Sequence, residues 1–90
     1  MTAFFEGVTA DTSVEADWRG GYGVFSAFAD NFGGGTVTFS WSPNDGTDFA
    51  TTTDGTFTAD GFVAFRLPPG RIRAELSGSS GAVNVKAYFN

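Results

Sequence analysis

The chain has no cysteine and no histidine. Without cysteine there is no disulfide framework and no thiolate to hold zinc, and redox compartment makes no difference to the fold. Without histidine the commonest general base and the commonest metal ligand are both missing. Ser-His-Asp and Cys-His catalysis are therefore excluded outright. Glutamine is also absent, and only two leucines, one isoleucine and one methionine occur, so the residues that favour helices are scarce. No apolar run approaches the roughly 20 residues that span a bilayer as a helix. The N-terminus has no basic region followed by an apolar stretch, so no secretory signal is expected.

What the chain does have points to sheets. Its 90 residues include eleven Phe, two Trp, two Tyr, thirteen Gly and three Pro. Aromatic and β-branched residues suit pleated, half-buried surfaces, and the Gly and Pro punctuate them with turns. Ninety residues make one domain with a modest core. An all-β fold is expected, a small antiparallel β-sandwich or partly open barrel of seven to eight short strands.

Alternation of apolar and polar residues locates the strands. Val37, Phe39 and Trp41 alternate with Thr36, Thr38, Ser40 and Ser42, the period-two pattern of a half-buried strand. Ile72, Ala74 and Leu76 alternate in the same way with Arg71, Arg73 and Glu75. Val83, Val85, Ala87 and Phe89 mark an apolar face on the last strand. Val14 to Trp18, Tyr22 to Ala29, Phe49 to Thr53 and Gly61 to Leu67 complete the set. Pro43-Asn44-Asp45-Gly46 predicts a turn. Asp54-Gly55 and Asp60-Gly61 predict two more, flanking a short strand around Phe57. Residues 1–12 are weakly patterned and read as an edge strand or an arm that docks on a neighbour through Phe4 and Phe5. Residues 13–90 read as the sandwich.

Net charge is −5, and it is unevenly spread. Nine of the ten acids precede Arg66, with Arg19 the only base among them. Arg66, Arg71, Arg73 and Lys86 follow, with Glu75 the only acid. An acidic bulk does not suit general nucleic-acid binding, which needs a basic face. The polarity suits docking against an oppositely charged partner, although chance clustering on a solvated surface explains it as well.

Other chemistry fails on inspection. A Ser-Lys pair would need Lys86, which falls mid-strand on the polar face. Most of the acids sit in or beside turns, where Asp bonds its local backbone, and no deep cleft around a carboxylate pair is expected. Asn44-Asp45-Gly46-Thr47-Asp48 matches no calcium loop. The runs Gly20-Gly21 and Gly33-Gly34-Gly35 precede no helix and no Lys-Ser/Thr, so they are not phosphate cradles. Trp18, Tyr22 and Trp41 form a conceivable sugar-stacking platform. The register of Trp41 with Val37 and Phe39 assigns it to the core, and Trp18 leans the same way.

Three segments carry a resemblance. They are Arg19-Gly20-Gly21-Tyr22-Gly23-Val24-Phe25-Ser26-Ala27, the run from Phe32 to Gly46, and Leu67-Pro68-Pro69-Gly70-Arg71-Ile72-Arg73-Ala74-Glu75-Leu76-Ser77-Gly78. In order and spacing, over residues 18–78, they resemble small β-sandwich structural proteins of tailed bacteriophages. The turn at Asn44-Asp45-Gly46-Thr47 departs from that pattern.

The resemblance implies a virion component made in the host cytoplasm. The first expectation is a capsid decoration (cement) protein that binds the major capsid protein on the outer head surface and stabilises the shell. A neck, tail or fibre protein is the second. No enzyme activity, cofactor, nucleic acid or membrane is implied, and a homo-oligomer on the shell is compatible. The alternative is a carbohydrate- or host-surface-binding module. The residues expected to make contacts are Phe4, Phe5, Trp18, Arg66, Arg71, Arg73 and Lys86.

Overall fold

A computed structural model describes residues 2–43 and 46–90. Eight strands form two four-stranded antiparallel sheets: β1 (Thr2–Val8), β2 (Thr12–Trp18), β3 (Gly21–Phe28), β4 (Thr36–Ser42), β5 (Ala50–Phe57), β6 (Gly61–Leu67), β7 (Gly70–Ser77) and β8 (Val85–Phe89). One sheet runs β1-β8-β3-β6 and the other β2-β7-β4-β5. Only the β4–β5 connection stays within a sheet; every other crosses between them. These two interleaved strand orders are those of a jelly roll, a β-sandwich of two Greek keys. The expected turn at Asn44-Asp45 lies outside the described residues.

The core lies between the sheets, and aromatic rings dominate it. Phe25 of β3 stacks on Phe39 of β4 across the sandwich, with centroids 4.4 Å apart and planes 13° from parallel. Phe4 meets Phe25 at 5.9 Å and Phe89 at 4.7 Å, and Phe65 meets Phe39 at 4.8 Å. Val37, Ile72, Leu76 and Val85 fill the remaining space. With so few leucines, these large rings bury most of the apolar area that drives folding.

Both tryptophans hold the crossing from β6 to β7. The indole of Trp18 donates to the Leu67 carbonyl at 3.1 Å, and that of Trp41 donates to the Pro68 carbonyl at 3.0 Å. Pro68-Pro69 makes this crossing in two residues, with few backbone donors of its own. At its end, a Cβ on Gly70 would lie 2.2 Å from the Ser42 carbonyl oxygen, so only glycine fits.

The structure departs from simple alternation at four places. First, Phe4 and Phe5 are both buried although adjacent, because β1 shifts register against β8 between Ala3 and Phe5. A bulge lets neighbouring side chains point the same way. Residues 2–8 are thus a paired edge strand and not a loose arm. Second, Asp54-Gly55 is not a turn. β5 runs through it with a bulge, Asp54 taking φ 58°, and the residue steps Thr38 to Ser40 on β4 answer to Thr56 to Thr51 on β5. Third, the strand expected around Phe57 is the end of β5 itself. Fourth, Val83 is 46% exposed. Asn84 takes φ 53°, which breaks the strand and turns Val83 away from the face of Val85 and Ala87.

Candidate binding face

Directly opposed residues of an antiparallel pair share a face, so the registers define what the β1-β8-β3-β6 sheet presents to solvent. Tyr22 faces Arg66, Val24 faces Ala64, and Ser26 faces both Phe62 on β6 and Tyr88 on β8. Phe28 faces Lys86. The opposite phase, Phe25, Ala27, Phe65, Val85 and Ala87, is core. The outer face therefore carries Tyr22, Phe28, Phe62 and Tyr88 together with Arg66 and Lys86.

Tyr22 is 71% exposed and Phe62 73%. Scattered apolar surface is ordinary, but several large rings in the open on one sheet face are not. Tyr22 and Phe62 stand one strand and four residue steps apart, roughly 14 Å by strand rise. Phe28 and Tyr88 lie beside one another, centroids 6.5 Å apart. The Tyr88 hydroxyl donates to Glu6 at 2.8 Å, which pushes the phenol above its ordinary pKa. At the other end the Arg66 guanidinium sits 5.1 Å from the Tyr22 ring centroid, and Arg19 donates to the Tyr22 carbonyl at 3.3 Å.

A cleft of about 380 Å³ opens beside this face, where the edges of β5 and β6 approach. Trp41, Thr51, Thr53, Ala64 and Arg66 line it, and among the described residues no carboxylate does. Arg66 also lines the adjoining hollow at Gly21, Leu67 and Pro68.

Only two of the seven expected contact residues lie on this face. Arg66 and Lys86 do. Phe4 and Phe5 are committed to the core, and Trp18, 3% exposed, packs on Phe65 at 4.9 Å beneath the Arg19 guanidinium. Those three are corrected from contact residues to core residues. Arg71 and Arg73 lie on the other sheet and are engaged within the chain. Arg71 pairs with Glu15 at 2.9 Å and Asp17 at 2.7 Å. Arg73 lies 4.2 Å from the Phe49 ring centroid, and its Nε is buried without a partner among the described residues. Phe49 lies over this outer surface, and Ser40 and Ser42 are buried on it. The basic C-terminal third is thus not one docking patch.

Phe62, Phe28 and Tyr88 were not foreseen. In β3 and β6 both phases are apolar, with Tyr22-Val24-Phe28 against Phe25-Ala27, and Phe62-Ala64 against Val63-Phe65-Leu67. Periodicity cannot choose the outer face of such strands.

No family model and no curated protein sequence matches the chain. Among solved structures, the fold is similar to a Yersinia pseudotuberculosis-derived mitogen, with a TM-score of 0.55 and 10% identity over 92% of this chain and 86% of the other. A carbohydrate-binding module of family 29 aligns over 98% of this chain and 86% of the other, with 13% identity and a TM-score of 0.44. Neither is a phage structural protein. The likeness to the mitogen establishes the small β-sandwich fold and nothing further.

Proposed function

We propose that the chain is a non-catalytic binding domain that attaches to polysaccharide through the outer face of the β1-β8-β3-β6 sheet. The observation that carries this reading is the exposure of Tyr22 and Phe62 on that one face. An aromatic ring left open to water offers a flat apolar surface with a negative face, suited to the C–H-rich face of a sugar ring. Two such rings roughly 14 Å apart suit an extended chain, which can rest on both. A protein-binding patch would instead need a contiguous apolar centre.

The face mixes signs, with Arg66 and Lys86 against Glu6, so stacking and not net charge would carry the affinity. Binding should accordingly change little with salt. The test is a panel of insoluble polysaccharides and immobilised glycans, read by co-sedimentation at low and high ionic strength. Retention on a neutral glycan at both supports the proposal. Retention on none, with co-sedimentation on phage heads instead, would favour the virion role that the sequence resemblance implies.

A further inference from the structure

We propose that two copies of this chain pair through β6, antiparallel, to form one continuous eight-stranded sheet. The two sheets end in four edge strands, β1, β6, β2 and β5. An exposed edge offers unpaired backbone donors and acceptors, and folds blunt it with bulges, charges or short length. β1 is broken by two register shifts and by Gly7 at φ 66°. β5 carries the bulge at Asp54, and Thr52 turns its hydroxyl back onto the Phe39 carbonyl at 3.1 Å. β2 is regular but bears Glu15 and Asp17 on its outer face. β6 has neither a bulge nor an acidic side chain. Its seven residues pair with β3 without a break, no strand among the described residues pairs with its other side, and Arg66 is its only charge.

The occupant follows from the side chains of β6 itself. Self-pairing that overlaps the whole of Gly61–Leu67 places the two-fold axis at Ala64. Phe62 then faces Arg66 of the partner subunit on the outer surface, and the partner's Phe62 faces Arg66. A guanidinium against an aromatic ring is a favourable pair, and symmetry makes it twice. Arg66 already lies over Tyr22, 5.1 Å from its centroid, and has no ion pair among the described residues. In the dimer it would sit between Tyr22 of its own chain and the partner's Phe62. On the inner side, half-buried Val63 and Leu67 would gain cover. The exposed rings of both copies would then line one surface. This inference does not depend on what that surface binds.

Sedimentation velocity over a wide concentration range tests it, with Phe62→Lys and Phe62→Glu as variants. Phe62 is 73% exposed, so both should fold, and circular dichroism confirms that. The wild type should move from monomer to twice the monomer mass as concentration rises. Phe62→Lys sets like charges opposite one another twice and should weaken the dimer at least roughly tenfold. Phe62→Glu sets a carboxylate opposite Arg66 of the partner and should keep it. Phe62→Lys combined with Arg66→Glu should restore pairing. A wild type that stays monomeric up to about millimolar concentration, or equal loss or equal retention in the two single variants, overturns the proposal.

Discussion

The guanidinium of Arg66 lies over the ring of Tyr22, 5.1 Å from its centroid and directly across the β3–β6 ladder. An exposed pair of this kind contributes roughly 0.5–1 kcal/mol. Its consequence for binding is orientation, since it holds an otherwise free ring against the sheet. Arg66→Ala should lower stability by no more than about 1 kcal/mol, the size of the lost pair. It should still weaken glycan retention on polysaccharide columns. Equal retention would mean that the Tyr22 ring needs no support from Arg66.

Trp18 separates the core reading from a surface reading of the tryptophans. Its indole is buried and bonded to the Leu67 carbonyl. Trp18→Ala should cost about 3–5 kcal/mol in urea unfolding. Trp41→Phe, which removes the bond to Pro68 and trims the ring, should cost less, about 0.5–1.5 kcal/mol for the bond itself. If Trp18→Ala were as stable as wild type but lost binding, Trp18 would belong to the binding face.

How much of this was legible in the sequence depends on how polar each strand's second face is. β4 and β7 declare their inward residues because Thr, Ser, Arg and Glu occupy the other phase. β3 and β6 do not, since an outward phase made of Tyr, Val and Phe looks like a second core face. Bulges hide for a different reason. Phe4 and Phe5 can both turn inward only when β1 slips against β8, and a slip depends on the partner strand. Asp54-Gly55 reads as a turn by local preference, because a left-handed residue serves a turn and a bulge equally. The engagement of Arg71 with Glu15 and Asp17 joins residues far apart in sequence, which no local pattern announces.

Gly70 provides a test of the crossing between the sheets. A methyl group there would meet the Ser42 carbonyl oxygen and the Trp41 indole nitrogen. Gly70→Ala should lower stability by at least about 2 kcal/mol, since the nearest contact is backbone and cannot rotate away. Gly34→Ala is the comparison. Nothing stands near its Cβ position, so only its φ of 73° opposes the change, at roughly 1 kcal/mol. Thermal melts of the pair should rank them in that order.

Asp11 ties the β1–β2 turn to the β7–β8 connection. It accepts bonds from the Ser79 hydroxyl, from the Ser79 amide at 2.9 Å and from the Gly78 amide at 3.0 Å. The Ser79 hydroxyl bond, and then the amide bonds, hold its carboxyl below the ordinary value of 3.8. A depressed folded pKa means that the unfolded chain takes up the proton first as pH falls. The stabilisation is therefore complete above the ordinary carboxylate range and fades as pH drops through the lower, folded value. Asp11→Asn should lower the urea midpoint at neutral pH and flatten its fall between about pH 5 and pH 2. A parallel offset at every pH would show that the carboxylate charge is not what these donors stabilise.

The central claim is that the open aromatic rings of one sheet face make the attachment. The most direct measurement is binding to a retained polysaccharide by wild type, Tyr22→Ala, Phe62→Ala and the double variant, with unfolding midpoints recorded for each. Each single variant should bind at least tenfold more weakly, about 1.4 kcal/mol, with its midpoint nearly unchanged. The double variant should not bind. Full affinity in the double variant would contradict the account.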